Sequence, residues 1–201
     1  MATIIPPTVD EQYSEPGVFT KFPGEGLPDI KRYITTHDKN GEGVFLPHDN
    51  GAHHSLMANG RGVQNIIYST TGDQVDLEDD ADMIRARDMQ PGIHEPHGTV
   101  FRMIDFAPGV TSPLHRAMSI DYGTVIEGEF EIGLDSGETR IMRRGDVLVQ
   151  RATVHQWTNL SPDKPARMLF VLLDVKPLKP INGKEISQDL GPLKHDFGAD
   201  H

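Results

Sequence analysis

Apolar and polar residues alternate with a period of two along much of the chain, and this is the pattern of strands with one buried and one solvated face. In "EFEIGLDSGETRIM", Phe130, Ile132 and Leu134 alternate with Glu129 and Glu131. The chain then turns at Asp135-Ser136-Gly137 and returns, which predicts a hairpin. "TVFRMIDFAPG" reads as a strand ending in a Pro-Gly turn, "RRGDVLVQRATVHQWTN" as a turn and a further strand, and "ARMLFVLLDV" as a continuous apolar strand. "INGKEI" predicts a tight Asn-Gly hairpin. Upstream, "IKRYITTHDKNGEGVFL" predicts two short strands around an Asp-Lys-Asn-Gly turn, and "GVQNIIYSTTG" another strand. "DLEDDADMIRARDM" carries acids first and arginines later, the polarity of a short helix, with an acidic surface loop as the alternative. Short strands with frequent turns predict an all-β fold, an antiparallel barrel or jelly roll with few short helices.

The first 28 residues have turn residues throughout and no period, so they read as an irregular N-terminal arm. Residues 29–187 form the barrel, and 188–201 an extended C-terminal tail. No internal repeat or linker divides the chain. The 15 prolines and 20 glycines disfavour helical packing, in keeping with strands and turns. A formal charge of −11 and the lack of a basic cluster exclude a nucleic-acid partner. With no cysteine, disulfide and thiolate chemistry are excluded. No window is apolar enough to span a membrane and the start lacks a secretory pattern, so a soluble, cytoplasmic protein is expected. "NLS" at Asn159–Ser161 matches a glycosylation sequon, read as chance in the absence of a secretion signal.

Candidate chemistry begins at "PGVTSPLHRAMSIDYGTVIEG". His115, Ala117 and Asp121 share parity, so the imidazole and the carboxylate can face one cavity. The stretch resembles the first motif of the cupin superfamily, G-x5-H-x-H-x3-E-x6-G, matched in spacing by Gly109, His115, Ala117, Asp121 and Gly128. "GDVLVQRATVHQWTN" resembles the second motif, G-x5-P-x-G-x2-H-x3-N. It keeps Gly145, His155 and Asn159, is one residue shorter before the histidine, and has Gln150 and Ala152 at the usual proline and glycine positions. The resemblance covers about residues 98–175. Together with "HRAMSIDYG", "LDSGE" and "ARMLFVLL" it is similar to small single-domain cupins of fungal secondary metabolism, a group that tends to lack the second histidine.

The resemblance implies a cupin barrel, a homodimer paired through the N-terminal arm, and a divalent metal (Fe, Mn, Ni or Zn) held by His115, Asp121 and His155. Ala117 removes one donor, and aspartate reaches one methylene less far than glutamate. The same three residues also suit a metal-free reading: a carboxylate beside two imidazoles in an apolar barrel mouth is suited to general acid/base work. A third reading makes them satisfied core groups in a barrel without chemistry. Arg102 shares parity with Val100, Ile104 and Phe106. On an inner face it would be a buried cation suited to a substrate carboxylate or phenolate, on an outer face a surface arginine. Trp157 shares parity with His155, and reads either as the wall of an aromatic-substrate site or as core. "HEPH" at His94–His97 and "HH" at His53–His54 read as loops, the latter in "NGAHHSLMANGRG", a segment able to lid the barrel. The expected function is lyase chemistry, a decarboxylation or dehydration, on a small aromatic or polyketide-derived substrate. An Fe(II)-dependent dioxygenase and a non-catalytic small-molecule-binding module are the alternatives.

Overall fold

A computed structural model of the protein describes residues 17–197. The strands are β1 (Thr35–His37), β2 (Gly43–Phe45), β3 (His53–Met57), β4 (Gly62–Thr71), β5 (Gly98–Phe106), β6 (Ser119–Glu127), β7 (Glu129–Leu134), β8 (Thr139–Arg143), β9 (Val147–Arg151), β10 (His155–Asn159) and β11 (Ala166–Asp174). Helix α1 (Ala81–Asp88) precedes β5, and α2 (Lys194–Phe197) ends the described chain. A six-stranded antiparallel sheet runs β3-β4-β5-β11-β6-β9, a three-stranded sheet β10-β7-β8 faces it, and β1 and β2 pair with each other. This is the expected jelly-roll sandwich.

The alternation of the β7–β8 hairpin places Phe130 and Met142 opposite one another and buries both, while Glu129 and Arg143 pair in solvent. Phe130 stands edge-on to Phe106 and Trp157, and Trp157 to Phe170, so an aromatic ladder ties the small sheet to the large one. Between the sheets the chain crosses at Gly128, where φ is 87° and a Cβ would lie 2.6 Å from the Ala166 Cβ. Only glycine serves there.

The acid-then-arginine segment resolves as a helix, α1, where Asp82 accepts the Tyr68 hydroxyl and Arg85 reaches Glu95 at 2.5 Å. "NGAHHSLMANGRG" differs from the loop expected: His53–Met57 is strand β3, paired with β4 through its backbone. Its hydrophobic alternation is too short to declare a strand, but the neighbouring β4 edge supplies the ladder. The tail differs as well. Instead of running extended, it turns at Gly191–Leu193 into α2, because Leu190 and Leu193 are drawn into the main core.

Of the N-terminal arm, residues 1–16 lie outside the described residues. Residues 17–28 are irregular as expected, and they pack on their own barrel through Phe19 and Phe22, beside Val63, Ala107 and Val110. The Arg167–Asp105 ion pair anchors this segment. Arg167 Nε and Nη2 donate to the two Asp105 carboxylate oxygens at 2.6 and 2.8 Å, Arg167 Nη1 donates to Pro28 O, and Gly24 N donates to Asp105. Both side chains are buried. Asp105→Asn strands the guanidinium and is expected to lower unfolding free energy by about 3–5 kcal/mol in urea titrations. The double replacement Asp105→Leu/Arg167→Met is expected to cost markedly less.

Candidate active site

The two motifs meet through backbone. His115 N donates to His155 O at 2.9 Å and His155 N to His115 O at 3.0 Å, an antiparallel bridge that sends both side chains to the same face. The imidazole centroids are 4.3 Å apart with planes tilted by 48°. Each ring is then fixed by a carbonyl two residues upstream: His115 Nδ1 donates to Pro113 O at 2.9 Å, and His155 Nδ1 to Thr153 O at 3.0 Å. A carbonyl only accepts, so Nδ1 carries the hydrogen in both rings and Nε2 keeps its lone pair. The Thr153 carbonyl is held in turn by Gln150 Nε2, which also bonds the Thr153 hydroxyl. Ala152, at the motif's glycine position, has a φ of 47°, the left-handed turn that glycine would otherwise provide.

Asp121 lies on β6, buried, opposite Leu172 and Gln150. Its Oδ1 accepts the Ser119 hydroxyl at 2.5 Å. Burial raises its carboxyl to about 6, against the opposing pulls of Ser119 and the Arg102 guanidinium. Burial lowers both histidines below the ordinary imidazole range, His155 to about 3 with the neighbouring His115 adding to the effect. Arg102 sits on the inner face of β5 and is 1% exposed, so the surface alternative for it fails.

These groups line one cavity, with about 750 Å³ of space between its walls and open mouth, solvent included. Its walls are otherwise apolar, with Ile104, Phe106, Phe170 and Leu172 from the large sheet and Trp157 from the small one. Trp157 thus serves both the core and the cavity. Ala117 contributes a methyl where the motif has a second imidazole. Met57 at the end of β3, Ala58 and Arg61 from the β3–β4 turn, and Leu193 and Phe197 of the tail also line it. The segment read as able to lid the barrel reaches the cavity only through its last residues. Asp196 ties the tail to the turn by accepting Ala58 N at 3.0 Å.

His115, Asp121 and His155 all reach this cavity, yet among the described residues no three His, Cys, Asp or Glu side chains are grouped as metal ligands. Both Nε2 lone pairs are free, but the Asp121 carboxylate, bonded to Ser119, does not group with the two imidazoles, so the arrangement does not fit the three-ligand set that the motif implies. "HEPH" is a loop as expected, where His94 lies 3.6 Å from Asp174. Asn159 is buried and donates to Ala107 O and Lys164 O, so it is a loop anchor and no glycan acceptor. Sequence reasoning missed Ser119, Gln64 and Gln150, polar residues at inward parity in strands. It also missed Phe197, a lone aromatic in a polar tail.

The family model described as "Cupin domain" matches residues 102–172. A cupin-domain-containing oxidoreductase of Neurospora crassa is 48% identical over 184 residues, 92% of this chain and 93% of that protein. This chain is a cupin. Another cupin-domain-containing oxidoreductase, from Aspergillus ruber, is 51% identical over 179 residues, 88% of each chain. Phomopsin biosynthesis cluster protein D of Diaporthe leptostromiformis is 44% identical over 156 residues, 76% of this cupin and 82% of that protein.

The buried ionisable groups predict opposing pH effects. Asp121 has a folded pKa raised from 3.8 to about 6, so the stability it permits is intact below about pH 4 and is lost as pH rises through 6. His155, depressed from 6.5 to about 3, acts in the opposite sense: its contribution is present above about pH 6.5 and lost as pH falls toward 3. In denaturant titrations, Asp121→Asn is expected to gain about 2–3 kcal/mol relative to the parent between pH 4 and pH 8. A difference independent of pH would show that the carboxyl is not desolvated.

Proposed function

We propose that this cupin is a biosynthetic enzyme that carries out lyase-type proton transfer, a dehydration or decarboxylation, on a small aromatic or polyketide-derived substrate. The carrying observation is the pair of carbonyl-anchored imidazoles, each with its Nε2 lone pair free, in a mostly apolar cavity that also holds a carboxyl poised near 6. The relative named for the phomopsin biosynthesis cluster supports the biosynthetic setting. In a dehydration, one imidazole Nε2 removes the proton beside the substrate carbonyl. Asp121, protonated in part near its pKa, supplies the proton that departs with the hydroxyl. In a decarboxylation, the same acid delivers the proton to the carbon that loses carbon dioxide. The close contact of the rings allows only one of them to carry a charge at a time, so the pair works as a single base. Trp157 and Phe170 wall the substrate ring, and Leu193 and Phe197 of the tail add apolar surface beside it.

A second reading, favoured by the name that the Neurospora and Aspergillus relatives carry, is oxidoreductase chemistry on the same substrate. The two separate cleanly. Purified protein, supplied with the metabolites that accumulate when its gene is deleted, is expected to release water or carbon dioxide with no dioxygen uptake and no loss of rate in EDTA. His155→Ala and His115→Ala are each expected to lower kcat/KM by about 10²–10⁴-fold. Stoichiometric iron with dioxygen consumption would favour the oxidoreductase, and full activity in both histidine variants would refute both.

A further inference from the structure

The protein buries two arginines in its large sheet, and they are treated differently. Arg167, on β11, has a bidentate carboxylate partner in Asp105 and a third bond to Pro28 O. Its charge is fully met, and it holds structure. Arg102, on β5, has no carboxylate within ion-pair distance among the described residues. Its Nη1 donates to Gln64 Oε1 at 2.9 Å, and its Nη2 to Gly92 O and Ile93 O, both at 2.6 Å. Its Nε–H, buried, has no acceptor among the described residues. Asp121 acts on it only at a distance and is itself held by Ser119. The Phe197 ring covers the guanidinium, centred 5.0 Å from Cζ.

Neutral acceptors orient a guanidinium but do not cancel its charge, and an unpaired buried cation is costly to keep. Here the cation borders the cavity that also holds the imidazole pair. An anion entering that cavity would meet an immobilised donor in surroundings where a charge-assisted bond is strong. The remaining walls offer aromatic and aliphatic surface.

We infer that Arg102 is the anion subsite of this cavity, and that the substrate is a small aryl or enolic anion whose carboxylate, phenolate or enolate oxygen accepts the Arg102 Nε–H while its ring lies against Trp157 and Phe170. The inference rests on the reading of the cavity as the active site and adds the substrate's charge. Gln64 and the Gly92 and Ile93 carbonyls are the positioning groups, since they fix the guanidinium plane.

Benzoate and benzamide, alike in shape and unlike in charge, test this by calorimetric or NMR titration at neutral pH. The wild-type protein is expected to bind benzoate at least about tenfold more tightly than benzamide, the scale of one charge-assisted hydrogen bond. Arg102→Met is expected to reduce benzoate to the benzamide level and leave benzamide unchanged. Should that variant fail to fold, the wild-type preference decides alone. No benzoate binding, equal binding of the two probes, or benzoate binding that survives Arg102→Met would each overturn the subsite. Titrating His155→Ala keeps the two proposals apart. The benzoate preference is expected to persist there, because that ring is not the anion's partner. A lost preference in the wild type beside inactive histidine variants removes the anion subsite and leaves the acid–base reading standing.

Discussion

The site depends on two backbone hydrogen bonds, those exchanged between residues 115 and 155. They join the segment before β6 to the start of β10, and thereby make one end of the small sheet continuous with the wall of the large one. Because residues opposite each other in an antiparallel pair project to the same side, the bridge forces the two imidazoles into contact. Side-chain chemistry then follows from backbone geometry. Each ring bonds a carbonyl of its own loop through Nδ1, and that acceptor dictates which nitrogen holds the hydrogen. Burial completes the arrangement by keeping both rings neutral.

Charge in the interior is distributed with economy. The ion pair at Asp105 is spent on docking the N-terminal segment beneath the sheet, away from the cavity. On the cavity side, Arg102 and Asp121 flank the β11 residues Phe170 and Leu172 without touching. Each acts on the other only electrostatically, and burial, which outweighs that attraction, makes the carboxyl easy to protonate. The two segments least regular in sequence, the β3–β4 turn and the tail, also line the cavity and are joined through Asp196.

Much of this was legible in the sequence where periodicity is strong. The β7–β8 hairpin, β5 and β11 announce themselves through alternation or unbroken apolarity, and motif spacing located His115, Asp121 and His155 in one cavity. Parity placed Arg102 on the same face as Val100 and Phe106, but parity cannot say which face is inside. That choice needed the opposing sheet. The short strand β3 was lost because five residues offer little pattern, and its partner edge does the specifying. The tail was lost for a related reason: Leu190, Leu193 and Phe197 look incidental until the core that receives them is known. Whether two imidazoles and a carboxylate converge on a metal is a matter of ångströms, and spacing along a chain does not carry that. Here, among the described residues, the carboxylate does not group with the two imidazoles.

The most direct test of this account is the protonation of the two rings themselves. Long-range proton–nitrogen correlation spectra of the imidazoles, recorded on uniformly labelled protein without ligand, report the tautomer and charge of each histidine. The account predicts that His115 and His155 are neutral Nδ1–H tautomers at pH 7, and that His155 stays so well below the ordinary imidazole pKa. An Nε2–H tautomer, or an imidazolium at either position at neutral pH, would contradict it.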